Sequence, residues 1–235
     1  MFNVEAPVST TRVGSRAYAV IRIDNALLNP SLIAAQGFAQ TYSQDPGNFY
    51  PGIRSAVPDS FGSALRAWLS RMVQREFSSD TTYFSVVTTA SADLLPIQRI
   101  PHYDSTNPAL FAAVLYLCDS RFSGTSFYRH RRTGYEEITE ENRKNYQLAL
   151  DNDLRLHGPP RREYVNGDTP LFERIFSNPL AYNSAIVYPC RALHAGNIPA
   201  EFTPPFTKDD WRLTVTSLLV SDTSSETAPM ATAPP

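Results

Sequence analysis

The feature that most constrains the fold is a series of short segments rich in β-branched and aromatic residues. Glycine, proline and other turn-forming residues separate these segments, and they do not alternate regularly with helices. This pattern favours an antiparallel β-sandwich or jelly roll over a parallel α/β sheet. The predicted strands are residues 81–90, 109–117, 124–130, 183–189 and 211–220.

Two helices are expected to flank the strands, which gives a mainly β fold with flanking helices. Residues 60–77 place large apolar side chains at helical spacing, with Ser60 as the N-cap, so this helix should pack on the core. The charged segment 139–155 predicts an exposed helix between strands. Trp68 is interpreted as a packing residue rather than part of a cofactor site. The apolar side chains of the first helix are Phe61, Leu65, Trp68, Leu69, Met72 and Phe77.

Length and composition predict one domain with a short tail. The chain has 235 residues, of which 42% are hydrophobic, and this is enough for one sizeable core. We expect a single domain over residues 1–220, with helical support at 60–77 and a functional core at 80–220. Residues 221–235 contain mostly serine, threonine, alanine and proline, so they predict a disordered tail.

Charge and hydropathy exclude several classes of partner. The net charge of −2 argues against nucleic acid as the principal partner, because binding phosphates needs a basic surface. The apolar run 109–118 is too short to span a bilayer, and the N-terminus has no secretory pattern. Cys118 and Cys190 are expected to be reduced thiols. We therefore predict a cytoplasmic protein with neither nucleic acid nor membrane as a partner, and leave homodimerisation open.

One histidine–aspartate pair has the spacing of metal ligands. His102 and Asp104 are separated by one residue, so in an extended chain both side chains point the same way. His194, which follows the predicted strand 183–189, could supply a third ligand. Two imidazoles and one carboxylate suit non-haem Fe(II) with open positions. A His-x-Asp pair is nevertheless common, and alone it does not establish a metal site.

The last predicted strand carries a candidate anion-binding residue. Arg212 and Thr214 alternate onto one face of this strand. A buried arginine needs an anionic partner, because an unpaired charge in a sandwich is costly. Together the two side chains could bind a carboxylate through charge-assisted hydrogen bonds.

Several of these features occur together in one known family. Residues 102–130 contain His-x-Asp, then the strand end Tyr116-Leu117-Cys118, then Ser123-Gly124-Thr125 followed by Phe127. With the later segment AIVYPCRALHAG, this order resembles the catalytic half of the 2-oxoglutarate/Fe(II)-dependent dioxygenases, in the prolyl-hydroxylase-like branch. The resemblance covers roughly residues 80–220. The whole chain is also similar to a bacterial family of unknown function, DUF6445.

The resemblance implies a double-stranded β-helix, which is a jelly roll, and an enzyme that uses Fe(II) and 2-oxoglutarate. Such an enzyme would hydroxylate a C–H bond of a small-molecule or peptidyl substrate and decarboxylate 2-oxoglutarate to succinate. The presence of Asp104 favours hydroxylation, since halogenating relatives lack this carboxylate. The implied iron ligands are His102, Asp104 and His194, and the implied contacts of the distal carboxylate of 2-oxoglutarate are Arg212, Tyr116 and Thr214.

The sequence departs from the family pattern at three points. Cys118 replaces an asparagine, and Ser123 replaces the first of two glycines. Arg212 follows His194 by 18 positions, about twice the usual interval. The additional residues, 197–210, are proline-rich and polar, so we predict an enlarged loop. A strand in their place would overturn the assignment of Arg212.

Two other functions stay open at this point. One is a catalytically idle jelly roll that binds a partner or small ligand through the same pocket. The other is a cupin-like metalloprotein that does not use 2-oxoglutarate. Retention of the three ligands together with Tyr116 and Arg212 favours the oxygenase over both.

Four further features have weaker claims. Residues 129–134 are interpreted as a solvated hairpin, with recognition of an anionic substrate group as the alternative. His130 is an alternative ligand without a carboxylate neighbour at strand spacing, and His157 is assigned to a loop. Residues 48–55 are expected to form an ordered loop with a turn at Tyr50-Pro51-Gly52. Tyr50 and Arg54 could line a substrate entrance, although we favour a packing role.

Overall fold

The computed structural model describes residues 1–44, 49–119, 122, 124–205 and 207–222. The predicted tail beyond Asp222, Ser123 of the predicted turn and Asn48 of segment 48–55 lie outside the described residues. The described strands are β1 (Val8–Val13), β2 (Tyr18–Ile23), β3 (Gly52–Ala56), β4 (Phe77–Val87), β5 (Leu110–Tyr116), β6 (Gly124–His130), β7 (Phe172–Asn178), β8 (Ser184–Pro189), β9 (His194–Asn197) and β10 (Leu213–Ser221). The described α-helices are α1 (Pro30–Phe38), α2 (Asp59–Val73) and α3 (Arg143–His157).

The strands form two antiparallel sheets. The large sheet has the order β1-β2-β8-β5-β10-β4-β3, and the small sheet has the order β7-β6-β9. Strands that are distant in sequence are neighbours, as in β8 next to β5 and β10 between β5 and β4. These crossovers between two facing sheets make the fold a jelly roll. The predicted fold class is confirmed.

The small sheet is extended on one side by a single bridge. His102, which lies outside the named strands, pairs with His194 at the start of β9. Each residue donates its backbone N–H to the carbonyl of the other, at 2.9 and 2.8 Å. The segment that carries His102 is thereby fixed beside the edge strand of the small sheet.

Hydrophobic side chains cover both faces of the large sheet. On the outer face, α2 contributes Phe61, Leu65 and Leu69 to a core shared with β4, β5 and β10. Trp68 is also buried there, stacks on Phe2 at 5.1 Å and donates its Nε1–H to the carbonyl of Asn3. Its interpretation as a packing residue is confirmed. The inner face packs against the small sheet around Phe127 and Tyr188.

The boundaries of α2 differ from the prediction at both ends. The helix begins at Asp59 and Pro58 is its N-cap, so the assignment of Ser60 as N-cap is wrong. Gln74 ends the helix in the left-handed conformation, with φ of 52°. Phe77 begins β4 instead of extending the helix. It continues the apolar spacing only because it is buried in the same core as α2.

The predicted helix in residues 139–155 is present, but one of its faces is buried rather than exposed. Helix α3 is found there, but Tyr146 and Leu150 are buried in a third core on the outer side of the small sheet. His157 is the last residue of α3, so its assignment to a loop is wrong.

No α-helix in the part of the chain that the structure describes is long and apolar enough to cross a membrane.

The turn before β6 requires a glycine. Gly124 has φ of +102°, and a Cβ at this position would lie 2.1 Å from the carbonyl oxygen of Asn178. The replacement Gly124→Ala is therefore expected to destabilise the protein by roughly 2–4 kcal/mol, which lowers the midpoint of thermal unfolding by about 5–10 °C. Gly134→Ala is the control, because Gly134 has φ of +70° but open space around it. Equal losses of stability in the two variants, measured by calorimetry, would contradict the steric explanation.

Candidate metal centre

The structure brings His102, Asp104 and His194 together. One ligand atom from each residue lies within 4.8 Å of the others, and among the described residues this is the only such group of histidine, cysteine and acidic side chains. The bridge between His102 and His194 fixes the two imidazoles side by side, with ring centroids 4.3 Å apart. The backbone N–H of Asp104 donates to the carbonyl of Cys190 at 2.8 Å, which holds the third residue against the end of β8.

The three side chains converge without bonding one another. The Nε2 atoms of His102 and His194 lie 3.7 and 3.6 Å from the two carboxylate oxygens of Asp104. These distances are too long for hydrogen bonds. They are close to the ligand separations of about 3.0–3.6 Å that bonds of about 2.1 Å to one metal ion would impose. The three residues, called the triad below, therefore have the chemistry and the spacing of a group that could hold one metal ion.

The orientation of the His194 ring suits metal binding through Nε2. Nδ1 of His194 lies 2.9 Å from the carbonyl oxygen of Ala192, which can only accept, so Nδ1 is the protonated nitrogen of the neutral ring and Nε2 is the atom directed towards Asp104. The side chain of His102 is 53% exposed, and it lines the cavity. Desolvation of its less exposed part and the neighbouring His194 lower the pKa of His102, although Asp104 acts in the opposite direction. This direction favours the neutral imidazole, which is the form that binds a metal.

The triad lies in the wall of a cavity of about 740 Å³. The cavity is open between the two sheets and extends along the inner face of the large sheet, past β10 and β4 towards β3. Much of its lining is apolar, including Ile97, Ala112 and Val114. Asp104 is the single acidic residue among the described residues of the lining. A volume of this size fits a cosubstrate and a substrate together.

Arg212 lines the same cavity. It lies immediately before β10, which begins at Leu213, so the prediction that Arg212 is within the last strand is wrong by one residue. It is 5% exposed, and the structure shows no carboxylate paired with it among the described residues. Its guanidinium donates from Nη2 to the carbonyl of Gly124 at 3.2 Å, while its buried Nε has no hydrogen-bond partner in the described structure. Residues 198–207 contain no strand in their described part, so the predicted loop before Arg212 is confirmed there.

Tyr116 and Thr214 lie beside Arg212. The guanidinium carbon is 5.9 Å from the centre of the Tyr116 ring, and Thr214 faces Tyr116 across β10 and β5. The Tyr116 hydroxyl is fully buried and shares a hydrogen bond of 2.7 Å with Thr125. Burial raises the pKa of Tyr116 to about 12, against the opposing charge of Arg212. Thr214 and Thr125 line the cavity, whereas Tyr116 supports the lining from behind. Thr125 was identified in the sequence only as part of a turn.

The basic segment 129–134 lies away from the cavity. Its arginines form ion pairs within the protein, and His130 is fully buried beside Asp153. The structure therefore favours the structural interpretation of this segment, and it places neither His130 nor His157 near the triad. The ion pairs are Arg129–Glu136, Arg129–Glu173, Arg131–Asp168 and Arg132–Asp153.

The segment 48–55 is a loop only in part, because β3 begins at Gly52, and it contributes side chains to the cavity. Tyr50 and Arg54 both line the cavity that contains the triad. Arg54 carries a positive charge close enough to His102 to contribute to the lowering of its pKa. The alternative role that the sequence left open, lining the substrate entrance, is therefore consistent with where these residues lie.

Comparison with known proteins identifies a family and a shared fold. The model of the family described as "Family of unknown function (DUF6445)" matches residues 4–219. No functionally curated protein matches the sequence significantly. The solved structure of SnoK, a non-heme alpha-ketoglutarate-dependent carbocyclase from nogalamycin biosynthesis, aligns with a TM-score of 0.53 at 12% identity, over 87% of this chain and 80% of SnoK. This likeness shows a shared fold.

Two further solved structures are more distant. A prolyl-4-hydroxylase of Pseudomonas putida aligns with a TM-score of 0.45 at 11% identity, over 87% of this chain and 94% of that one. HygX of Streptomyces hygroscopicus, solved with nickel, 2-oxoglutarate and hygromycin B bound, gives a TM-score of 0.45 at 10% identity, over 89% of this chain and 83% of HygX.

Proposed function

The chain belongs to the DUF6445 family, and we propose that it is an Fe(II)- and 2-oxoglutarate-dependent oxygenase that hydroxylates a C–H bond of its substrate. The observation that carries this proposal is the position of two features in one cavity. A cluster of two histidines and one carboxylate lines the cavity. The same cavity is lined by a buried arginine that has no carboxylate partner among the described residues. The first feature suits Fe(II), and the second suits the distal carboxylate of 2-oxoglutarate.

The residues present fit the metal. The lowered pKa of His102 favours its neutral form, and Nε2 of His194 is directed towards Asp104 because its Nδ1 contacts the Ala192 carbonyl. Asp104 would supply the carboxylate ligand. The His194 ring is fixed in orientation by the Ala192 carbonyl and by edge contact with Tyr188 at 4.8 Å. Such support of a ligand by a second partner is typical of metal sites. Three protein ligands leave other positions of the ion for cosubstrate and O₂.

The residues present also fit the cosubstrate. An unpaired guanidinium that is 5% exposed is destabilising until an anion binds. Arg212 has an unsatisfied Nε, and the Thr125 hydroxyl can donate to an anion when Tyr116 donates to Thr125. The Thr214 hydroxyl donates to the Ser85 carbonyl at 3.3 Å, so it would have to turn away from that carbonyl to bind the anion. We propose that these groups bind the distal carboxylate, with Tyr116 positioning both Thr125 and the guanidinium.

When bound, iron and 2-oxoglutarate would supply the oxidising chemistry, with succinate and CO₂ as the products derived from the cosubstrate. The protein would bind the ion and the cosubstrate, orient the cosubstrate and shield the reacting centre from water. Arg212 would fix one end of 2-oxoglutarate, and the triad would hold the ion at the other. The apolar lining would exclude water from the reacting centre. We propose a small molecule or a peptidyl side chain as the substrate.

An anaerobic titration tests the proposal. Fe(II) added to the protein, followed by 2-oxoglutarate, is expected to produce a weak metal-to-ligand charge-transfer band in the visible spectrum. Admission of O₂ should then release succinate. Iron binding without the band would favour a cupin-like metalloprotein, and absence of metal binding would leave a binding module without catalysis. Either result would reject the oxygenase.

A further inference from the structure

Arg54 is a second unpaired cation in the cavity of the candidate metal centre. Its buried Nε has no hydrogen-bond partner in the described structure, and no ion pair of Arg54 is found among the described residues. Its backbone is fixed by two hydrogen bonds with Ser43, of 2.9 and 3.0 Å. The backbone is therefore satisfied, and the guanidinium is left with donors that no described protein group accepts.

Two aromatic rings hold the Arg54 guanidinium in place. Its central carbon lies 4.3 Å from the centre of the Tyr50 ring and 5.6 Å from that of Tyr83. Stacking on ring faces restricts the side chain without using its N–H groups, because those groups point out from the edge of the guanidinium plane. An arginine arranged in this way is prepared to bind a planar or tetrahedral oxyanion.

Strand register separates Arg54 from the groups assigned to 2-oxoglutarate. Arg54 of β3 pairs with Ser85 of β4, which pairs with Thr214 of β10. Two strand spacings place the Cα atoms of Arg54 and Thr214 about 10 Å apart. Both side chains face the cavity. Arg54 therefore lies two strands away from Thr214, on a part of the cavity wall that the proposed cosubstrate contacts do not use.

The charges in the cavity favour an anion there. Arg54, Arg212 and a divalent ion contribute four positive charges, and Asp104 contributes one negative charge among the described lining. Dianionic 2-oxoglutarate would reduce the remaining three positive charges to one. One positive charge is left in a partly apolar cavity, where an unbalanced charge is costly.

We propose that Arg54 binds an oxyanionic group of the substrate, a carboxylate or a phosphate, and so positions the substrate in the cavity of the metal centre. This inference rests on the proposed function. The substrate is then an anionic molecule whose remaining part is at least partly apolar, because Ile97, Val114 and Leu218 line the same cavity.

Ligand-observed ¹⁹F NMR can test the role of Arg54 with simple probes. The protein is loaded with Zn²⁺ as a redox-inert ion and with 2-oxoglutarate. The probes are 4-(trifluoromethyl)benzoate, 4-(trifluoromethyl)phenyl phosphate and the neutral 4-(trifluoromethyl)benzamide. At least one anionic probe is expected to bind about tenfold or more tightly than the amide, and the tighter anion identifies the preferred group. Replacing Zn²⁺ with Mn²⁺ should broaden the signal of a probe bound in the cavity.

Variants separate a substrate contact from a cosubstrate contact. Arg54→Gln is expected to weaken the binding of the anionic probe about tenfold or more, and Arg54→Lys is expected to weaken it less. Both variants should leave the affinity for 2-oxoglutarate unchanged. Arg16→Gln is the control, since Arg16 is exposed and outside the cavity. The inference is overturned if no anionic probe binds the wild type, if the amide binds equally, or if Arg54→Gln leaves probe affinity unchanged. The inference is also overturned if Arg54→Gln weakens the binding of 2-oxoglutarate. A wild type that binds no 2-oxoglutarate refutes the proposed function instead.

Discussion

Replacing His194 with alanine is expected to lower Fe(II) affinity at least about a hundredfold and to reduce succinate formation to background. His194 supplies one of three donors, and its ring is also packed against Tyr188 and His102. Removal leaves Asp104 and one imidazole, which cannot form a facial triad. The measurements are isothermal titration with Fe(II) under anaerobic conditions and chromatographic quantification of succinate.

The controls use the other histidines. His102→Ala should have the same effect as His194→Ala, because both Nε2 atoms face the Asp104 carboxylate. His157→Ala should bind Fe(II) like the wild type, since His157 is exposed at the end of α3. Wild-type succinate formation by His102→Ala would show that the cluster is not the metal site.

The parts of the site that lie close in sequence, or directly beside a strand, could be predicted from the sequence. His102 and Asp104 share an extended segment, so their spacing alone indicates a common direction. For the same reason, the spacing of Arg212 and Thr214 predicts that their side chains point to the same side, and both line the cavity. Such periodicity is a local property of the backbone and needs no knowledge of pairing.

Strand pairing could not be predicted in this way. Arg54 reaches the cavity because β3 pairs with β4 in a register that aligns it with Ser85 and Thr214. No spacing within residues 48–55 specifies that register, which depends on contacts with residues about 30 to 160 positions away. The sequence therefore left packing as the favoured role for Arg54.

The first strand, β1, escaped prediction for a different reason. Five of the six residues of β1 are exposed, so this edge strand lacks the alternation of apolar residues that marks a half-buried strand. At the end of α2 the sequence predicts too much helix, because Phe77 fits helical spacing although it begins a strand. A buried residue at this position is apolar whether it belongs to a helix or to a strand. Only the left-handed conformation of Gln74 marks the end of the helix.

Replacing Arg212 with methionine is expected to raise the dissociation constant of 2-oxoglutarate about 30- to 1,000-fold while leaving Fe(II) affinity unchanged. A buried charge-assisted contact is worth about 2–4 kcal/mol when one partner is removed. The anaerobic charge-transfer titration measures this constant directly. Arg212→Lys should give an intermediate value, because an ammonium keeps the charge without the bidentate geometry. Wild-type affinity in Arg212→Met would assign the cosubstrate to another cation, and Arg54→Gln would then be the next variant to test.

The same variant should separate the functional role of Arg212 from its effect on stability. Without 2-oxoglutarate, the buried guanidinium has only the Gly124 carbonyl as an acceptor in the described structure, so it destabilises the fold. Methionine removes this unpaired charge, and the unliganded variant is expected to unfold at the same temperature as the wild type or a few degrees above it. Saturating Zn²⁺ and 2-oxoglutarate should then raise the midpoint of the wild type much more than that of the variant, because only binding to the folded state stabilises it. A variant that is strongly destabilised without ligand would mean that Arg212 supports the core rather than an anion site.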